Sequence, residues 1–371
     1  MRMHESYRVR PCECYGDRVD ELSAIADRIV RRDTGGARGP WTLEVYPTLA
    51  CNLSCGFCDT TDRHRPPVNE LSPARMRDLI NEAAALGVRR VFILGGGEPL
   101  LAAHTPAMMR QVKTLGMEGI LTTNGTLMGD SIRRMMVEVG WDEVHVSIDG
   151  ARPATHDFLR GRVGAFDRSI RALCRLRALR TTQDAACPRL ALHTVITREN
   201  VEEIPDIVRL AAAVGAERVE FDGLIAYRPE QQAHALDDAG RIRLSVNAHA
   251  GADLATTLGL TTTLHRFFDP IERGSKPPKP GTGKGFAAAP CLKAWHSLVV
   301  QADGKTSPCC VLAGIGESVA HASLSDTWEN SASLTTIRAG MLAGQPTGRC
   351  AECSENILAH ERAIRARLPA A

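Results

Sequence analysis

The sequence predicts an α/β fold, with a partial barrel of six βα units followed by a small α+β domain. Between residues 42 and 222, six short runs of β-branched and apolar residues alternate with helical patterns. This alternation is typical of parallel strands joined by right-handed crossover helices. A stretch rich in Pro, Gly and Lys at 272–290 follows the barrel. We therefore predict four segments: an N-terminal extension at 1–40, the barrel at 41–250, a linker or mobile segment at 251–290 and the small domain at 291–371.

Hydrophobic periodicity places the individual elements. A first helix is predicted at about 17–32. The barrel strands are predicted at 42–46, 90–94, 118–122, 143–148, 189–196 and 217–222. The helices between them are predicted near 72–86, 104–115, 127–139, 166–180 and 201–214. In the small domain we expect a hairpin near 295–308, one or two short helices between 324 and 342, and a closing helix from about 354.

The composition narrows the class of protein. Hydrophobic residues make up 44% of the 371 residues, and the formal net charge is +2. These values are ordinary for a globular protein and predict no nucleic-acid or membrane partner. Without an apolar stretch typical of a membrane span or a signal peptide, we expect a cytoplasmic protein. Twelve cysteines in that compartment indicate metal or redox chemistry, because thiols there stay reduced.

A first group of cysteines lies directly after the first predicted strand. Cys51, Cys55 and Cys58 form a C-x3-C-x2-C pattern, in a loop expected at the carboxyl end of the strand, where such barrels build their sites. Three thiolates this close can face one iron–sulfur cube and leave its fourth iron without a protein ligand. The alternative is a set of buried thiols or a structural zinc site, with His64 as a possible fourth ligand.

This motif, with the aromatic Phe57 before its last cysteine, resembles that of the radical S-adenosylmethionine (SAM) superfamily. The resemblance implies a radical SAM barrel whose [4Fe–4S] cluster cleaves SAM to a 5′-deoxyadenosyl radical. It also implies that Phe57 packs beside the adenine. Gly95-Gly96-Gly97-Glu98-Pro99, at the end of the second predicted strand, matches the segment that binds the SAM amino group in this family.

Later strand ends extend the resemblance. Thr122-Thr123-Asn124-Gly125 closes the third strand and Ser147-Ile148-Asp149-Gly150 closes the fourth. Both look like the polar rim around the ribose and methionine, which implies contacts to SAM by Thr123, Asn124, Ser147 and Asp149. Arg160 is the candidate for the SAM carboxylate, since a guanidinium matches a carboxylate bidentately. Its alternative is a surface arginine.

A second group of cysteines follows the predicted linker. It consists of Cys291, of Cys309 in the pattern Gly304-x4-Cys309 with Cys310 adjacent, and of the pair Cys350 and Cys353. Four thiolates of this kind can complete a second cluster, and a structural zinc site is the alternative. The spacing resembles the SPASM module and, because it stops after C-x2-C, its shorter twitch form. This resemblance implies an auxiliary [4Fe–4S] cluster held by Cys291, Cys309, Cys350 and Cys353, with Cys309 fitting the spacing better than Cys310.

The resemblance also implies a reaction. Twitch enzymes act on small polyols and aminoglycosides, so the leading hypothesis is a dehydrogenase of antibiotic biosynthesis that oxidises a secondary alcohol of an aminocyclitol to a ketone. The auxiliary cluster would accept an electron, and an external flavodoxin- or ferredoxin-type protein would supply the reductant. An epimerase that uses a cysteine as hydrogen donor is one alternative. A peptide-modifying enzyme and a non-catalytic binding protein are the others.

Few residues remain as catalytic candidates. Asp222, at the end of the sixth strand, could bind a hydroxyl or take its proton, or it could cap the next turn. Cys187 is the candidate hydrogen donor, although it precedes the fifth strand and is expected at the bottom of the barrel. We interpret His193 as a core histidine, Trp295 as hairpin packing and Cys174 as helix packing; Cys12 and Cys14 have no predicted place.

Overall fold

A parallel sheet organises the protein. The computed structural model describes residues 18–33, 39–58, 69–226, 228–268, 286, 289–312, 314–346, 348–353, 361 and 363–368. Its strands are β1 (Thr42–Val45), β2 (Arg90–Ile93), β3 (Glu118–Thr123), β4 (Glu143–Ser147), β5 (Arg189–Ile196), β6 (Arg218–Gly223), β7 (Thr261–Thr262), β8 (Ser297–Val300) and β9 (Thr306–Ser307). They form one sheet in the order β7-β6-β5-β4-β3-β2-β1-β8-β9.

The helices follow the predicted alternation. They are α1 (Arg18–Asp33), α2 (Pro73–Ala85), α3 (Thr105–Thr114), α4 (Asp130–Glu138), α5 (Pro153–Arg160), α6 (Ala165–Thr182), α7 (Ile204–Val214), α8 (Pro229–Gln232), α9 (Asp238–Thr257), α10 (Lys293–His296), α11 (Leu324–Asn330) and α12 (Ala332–Leu342). Among the helices that the structure describes, none has the length and apolar character needed to cross a membrane.

The predicted partial barrel is confirmed. Strands β1 to β6 pair in parallel with their sequence neighbours. The predicted hairpin is also present, because β8 and β9 pair antiparallel. Strand β8 additionally pairs in parallel with β1, with Glu44 opposite Val299. The C-terminal region therefore extends the barrel sheet.

Helices α5, α8, α9 and α10 were not predicted, and α9 corrects the linker. Residues 251–268, predicted as its first part, instead complete α9, form β7 and continue into a short helix at Leu264–Phe267. Helix α9 packs small residues inward, and a Cβ on Gly251 would lie 2.7 Å from Leu264. A helix face of small residues shows little apolar periodicity, so hydrophobic periodicity in the sequence did not predict α9. The remaining linker residues, 269–285, and residues 354–360 of the predicted closing helix lie outside the described residues.

The barrel interior is closed at one end by charged side chains. Arg90 lies 2.6 Å from Glu118, and Arg189 lies 3.1 Å from the buried Glu143. These residues stand near the amino ends of their strands, whereas the apolar core fills the space between the sheet and the helices. The open end of the barrel is therefore the carboxyl end of the strands.

A second apolar cluster joins the two ends of the chain. Ile25 and Ile29 of α1 pack with Leu292, Trp295 and Ile364. Trp295 is 5% exposed and its ring lies 5.3 Å from that of Phe286. The prediction of a packing role for Trp295 is confirmed, although it lies in α10 and not in the hairpin.

Candidate active site

The first cysteine loop lies at the open end of the barrel, after β1. Cys51, Cys55 and Cys58 are half-buried. The amide of Leu53 lies 3.4 Å from the Cys51 Sγ, and the amide of Cys58 donates to the Cys55 carbonyl at 3.2 Å. Burial raises the pKa of the Cys55 thiol to about 11, so a bound cation is needed to hold its thiolate at neutral pH.

The glycine segment after β2 supports this loop through backbone contacts. The amide of Gly97 donates to Thr48 O at 2.8 Å, and that of Glu98 donates to Ala50 O at 2.9 Å. A Cβ on Gly97 would lie 1.8 Å from the Ala50 carbonyl oxygen. Only glycine allows the two loops to approach this closely.

Glu98 connects the ends of β2 and β3. Its buried carboxylate accepts hydrogen bonds from Thr123 Oγ1 at 2.6 Å, from the amide of Asn124 at 2.8 Å and from that of Leu100 at 3.0 Å. The Asn124 side chain in turn donates to Asn52 Oδ1 at 2.9 Å. The strand ends that were predicted to contact SAM thus form one hydrogen-bonded rim with the cysteine loop.

Arg160 is buried against the same loop, so its alternative as a surface residue is wrong. It is 8% exposed, and its Nη2 lies 2.5 Å from Asp149 Oδ2. Its Nη1 lies 3.7 Å from Cys55 Sγ, and the guanidinium lies 5.7 Å from the centre of the Phe57 ring. Although burial disfavours its charge, Asp149 raises the pKa of Arg160 above its usual value. The guanidinium is therefore a cation beside the cysteines.

The buried polar atoms here fit the predicted cofactor. Arg160 Nε and His156 Nε2 are buried and have no hydrogen-bond partner within the part of the chain that is described. Buried polar groups are ordinarily paired, so atoms of this kind indicate a missing ligand. An amino acid moiety such as that of SAM offers the carboxylate that a guanidinium prefers. Ser147, the last residue of β4, lies opposite His193 of β5 and extends the polar rim.

The second cysteine group gathers in the C-terminal region. Cys291, Cys309, Cys350 and Cys353 are half-buried, whereas Cys310 is exposed. Cys309 interacts electrostatically with both Cys291 and Cys350. Both Cys309 and Cys310 interact with Glu44 of the barrel, and Cys310 interacts in addition with Asp222. The interactions of Cys309 with Cys291 and Cys350, together with the exposure of Cys310, support Cys309 as the ligand.

A histidine–aspartate pair lies between the two cysteine groups. His193 Nε2 lies 2.8 Å from Asp222 Oδ2, and Arg266 Nη1 lies 3.8 Å from Asp222 Oδ1. His193 interacts electrostatically with Asp149 on the side of the first group. Asp222 interacts with Cys310 on the side of the second. The pair therefore lies within electrostatic range of Asp149 beside the first group and of Cys310 beside the second.

Burial and the contact between His193 and Asp222 shift the pKa of both residues. Burial lowers the pKa of His193, but the hydrogen bond and charge of Asp222 outweigh it and raise that pKa. Burial raises the pKa of Asp222, but the His193 contact outweighs it and lowers that pKa. The Asp222 side chain is 51% exposed and is therefore accessible to a ligand.

The interpretation of His193 as a core residue is wrong. Its side chain is 25% exposed and faces the barrel interior with Asp222. The alternation of side chains along β5 could have predicted this orientation, because Leu190 and Leu192 are buried on the opposite face of the strand from His193. Arg266, which lies in an element that was not predicted, was also missed.

Two other cysteines require correction. Cys187 precedes β5, is 4% exposed and is disulfide-bonded, so it carries no free thiol to serve as hydrogen donor. Cys174 is exposed on α6 and does not pack in the core. Cys12, Cys14 and His64 lie outside the described residues. Among those described, no three His, Cys, Asp or Glu side chains converge on a point that fits a single metal ion.

Comparison with known families covers both cysteine groups. The Radical SAM superfamily matches residues 45–211, and the iron–sulfur cluster-binding SPASM domain matches residues 291–354. The second match favours an iron–sulfur cluster over zinc for the C-terminal cysteines.

Curated relatives match about half of the chain. An AdoMet-dependent heme synthase from Methanosarcina barkeri (strain Fusaro / DSM 804) is 34% identical over 169 residues, which is 46% of this chain and 46% of that protein. The mycofactocin maturase MftC from Mycobacterium tuberculosis (strain ATCC 25618 / H37Rv) is 30% identical over 195 residues, 53% of this chain and 48% of that protein. The chain thus spans about half the length of these relatives.

Solved structures share the fold over most of the chain. Streptococcus suis SuiB bound to precursor peptide SuiA has a TM-score of 0.65 at 17% identity and covers 91% of this chain and 75% of its own. Native anSMEcpe with bound AdoMet has a TM-score of 0.61 at 15% identity, and the match covers 88% of this chain and 96% of that chain. At these identities the likeness shows the fold alone. With the two family matches, we conclude that the chain combines a radical SAM domain with a SPASM iron–sulfur domain, and that its cofactors are SAM and two [4Fe–4S] clusters.

Proposed function

We propose that the protein is a radical SAM enzyme that modifies a peptide by removing two electrons from one of its residues. When bound, SAM and its cluster supply a 5′-deoxyadenosyl radical, and the auxiliary cluster supplies an electron acceptor. The observation that carries the proposal is the His193–Asp222 pair, 2.8 Å apart, which interacts with Asp149 beside the first cysteine group and with Cys310 beside the second. It puts a proton acceptor where a substrate would meet both.

His193 is suited to take a proton from the substrate. Nε2 contacts Asp222, which fixes a tautomer with the proton on Nε2 and leaves Nδ1 as an acceptor. Nδ1 has no hydrogen-bond partner among the residues described. A base works best when its pKa lies near the operating pH, and Asp222 raises that of His193 from the ordinary histidine value. Loss of a hydrogen atom, a proton and an electron from the substrate then amounts to a two-electron oxidation.

The shape of the sheet supports a peptide substrate. Within the described residues, β7 and β9 are the two edge strands of the sheet and do not pair with each other. The barrel therefore stays open along one side. An open side admits a chain longer than the cavity, whereas a small polyol requires no such opening. The mycofactocin maturases and the SuiB complex with its precursor peptide add support from the comparisons.

The aminocyclitol hypothesis receives no support from these relatives, which are heme synthases and peptide maturases. A tetrapyrrole is the second candidate substrate, because an AdoMet-dependent heme synthase is 34% identical over 169 residues of this chain. An epimerase in which the Cys187 thiol donates hydrogen is not supported, because Cys187 is disulfide-bonded.

Substrate-dependent turnover tests the proposal. The anaerobically reconstituted enzyme would be given SAM, dithionite and, in separate reactions, precursor peptides encoded beside its gene, a tetrapyrrole with carboxylate side chains, and an aminocyclitol. We expect a peptide to accelerate 5′-deoxyadenosine release and to lose two hydrogens by mass spectrometry. Acceleration by the tetrapyrrole or the aminocyclitol alone would show that the peptide assignment is wrong.

A further inference from the structure

Arg266 lies beside the His193–Asp222 pair. Its Nη1 lies 3.8 Å from Asp222 Oδ1, whereas His193 Nε2 lies 2.8 Å from Asp222 Oδ2. The two side chains therefore approach different oxygens of one carboxylate. A group bound by Arg266 would lie next to the proton acceptor of the proposed function.

Hydrogen bonds hold the backbone of Arg266 close to β6. Arg266 lies in the short helix Leu264–Phe267 that follows β7, and its amide donates to Thr263 O at 3.1 Å. The buried Thr263 hydroxyl accepts from the Phe221 amide at 2.8 Å and donates to the Phe221 carbonyl at 2.9 Å. Because Phe221 directly precedes Asp222, these bonds fix the position of Arg266 relative to Asp222.

The hydrogen-bond donors of the Arg266 guanidinium are unused. Among the residues that the structure describes, none accepts a hydrogen bond from this side chain, and the 3.8 Å to Asp222 is too long for one. Its Nε is buried without a partner, whereas neither Nη atom is enclosed in this way. Since the side chain is 23% exposed, the Nη end is open to a ligand.

Other arginines of the barrel have their donors filled. Arg90, Arg189 and Arg218 each lie within 3.1 Å of a glutamate oxygen. Arg160 lies 2.5 Å from Asp149. These guanidinium groups balance charges of the fold itself, whereas Arg266 has spare donors beside an accessible aspartate.

The acidic groups near this position already have cationic partners. Asp222 contacts His193 at hydrogen-bond distance. Glu220, which also interacts electrostatically with His193, lies 3.1 Å from Arg218. A carboxylate brought to Arg266 by a substrate would therefore break no existing hydrogen bond of the guanidinium.

We propose that Arg266 binds a carboxylate of the substrate and thereby selects the residue that is oxidised beside His193. The inference deepens the proposed function and rests on it for the identity of the substrate. A guanidinium binds a carboxylate through two parallel hydrogen bonds, and it does so more strongly where water is partly excluded. In a peptide the carboxylate belongs to an acidic side chain or to the C-terminus, and neutralising each in turn distinguishes the two sources.

Two variants and a control test this role. Arg266→Gln removes the charge and the paired donors, whereas Arg266→Lys keeps the charge and loses the paired donors. The matched control is Arg243→Gln on α9, which removes an exposed guanidinium that lies 2.9 Å from Glu202.

The measurement is the dissociation constant of each probe, by anaerobic calorimetry on the reconstituted enzyme with SAM. The probes are the precursor peptide of the turnover assay, its C-terminal amide, and forms in which each Asp or Glu is replaced in turn by Asn or Gln. A tetrapyrrole with carboxylate side chains and its methyl ester form a second pair.

We expect Arg266→Gln to weaken binding of the unmodified peptide about 10- to 100-fold, Arg266→Lys to weaken it less, and the control to leave it unchanged. Neutralising the recognised carboxylate should weaken binding to the wild type by a similar factor and leave binding to Arg266→Gln nearly unaffected. This coupling separates direct recognition from a general effect of the substitution on the fold.

Other outcomes would overturn the inference. If Arg266→Gln weakens the charged and neutralised probes equally, Arg266 supports the fold and does not bind the carboxylate. If no probe binds the wild type, or if Arg266→Gln binds every probe as tightly as the wild type, carboxylate recognition by Arg266 is wrong. Coupling seen with the tetrapyrrole pair alone would keep that recognition and refute the peptide assignment. Coupled binding of the peptide without product formation would refute the proposed oxidation alone, so the two failures are distinguishable.

Discussion

Arg160 and Asp149 form a buried ion pair, with 2.5 Å between Nη2 and Oδ2, directly behind the cysteine loop. The pair connects the end of α5 to the end of β4 and lies beside Cys55 and Phe57. Removing one partner of such a pair leaves the other charge buried and uncompensated.

Arg160→Leu should therefore affect both stability and cofactor binding. We expect the free energy of unfolding to fall by about 3–5 kcal/mol and SAM binding to weaken strongly. Urea unfolding and equilibrium dialysis with labelled SAM measure the two effects. The exposed Arg171→Gln serves as control and should change stability by less than about 0.5 kcal/mol. Unchanged SAM affinity in Arg160→Leu would remove Arg160 from the cofactor site.

Gly97→Ala should prevent the first cluster from assembling. The new Cβ would meet the Ala50 carbonyl oxygen at 1.8 Å and force the cysteine loop away from β2. Gly129 is the matched control, because a Cβ there meets nothing within 4 Å. We expect reconstituted Gly97→Ala to lack about four irons per chain, the content of one cube, and Gly129→Ala to retain them. Full iron in both variants would contradict the close-approach argument.

Cys309 and Cys310 should behave differently although they are adjacent. Cys309→Ser is expected to lose the auxiliary cluster, so that iron falls from about eight to about four per chain. Cys310→Ser should keep about eight, because Cys310 is exposed and, unlike Cys309, interacts with Asp222 of the barrel. Iron analysis and electron paramagnetic resonance check both variants. The reverse result would make Cys310 the ligand.

His193→Gln should separate SAM cleavage from product formation. Loss of a general base costs about 10²- to 10⁴-fold in rate, whereas substrate-free release of 5′-deoxyadenosine should persist. His249→Gln, an exposed histidine stacked on Phe268, is the control. Equal product formation by His193→Gln and wild type would exclude His193 as the proton acceptor.

Asp222→Asn should shift the pH dependence of the same reaction. His193 accepts a proton only when neutral, so activity is lost as the pH falls through its raised pKa. Without the Asp222 charge, that pKa falls and the acid limb moves to lower pH. A pH–rate profile with the limb unmoved, or moved to higher pH, would contradict the assigned pairing.

Glu143 should contribute to acid stability. Burial raises its pKa, but the His145 hydrogen bond and the charges of His145, Arg218 and Arg189 outweigh it and lower the pKa to about 2. Its contribution, on the order of 3 kcal/mol, is complete above the unfolded value of about 4.3 and is lost as the pH falls toward the folded value. Urea unfolding of Glu143→Gln should show a deficit at pH 7 that shrinks below about pH 4. The exposed Glu230→Gln should show no deficit.

The sequence alone determined the parts of this protein that depend on local patterns. The C-x3-C-x2-C spacing, the glycine segment and the six barrel strands could be read directly, because ligand spacing and strand periodicity are local properties of the chain. Their order also predicted that the loops after β1 to β4 would meet, since parallel strands end at one edge of a sheet.

Only the tertiary structure decided which side chains meet across those elements. The partner of His193 depends on the register between β5 and β6, and the direction of Cys310 depends on how β8 adds to β1. The burial of Arg160 depends on the pairing of α5 with the cysteine loop. Pairing of this kind joins residues far apart in the sequence, and packing and the exclusion of unpaired buried charge select it, so no local pattern encodes it.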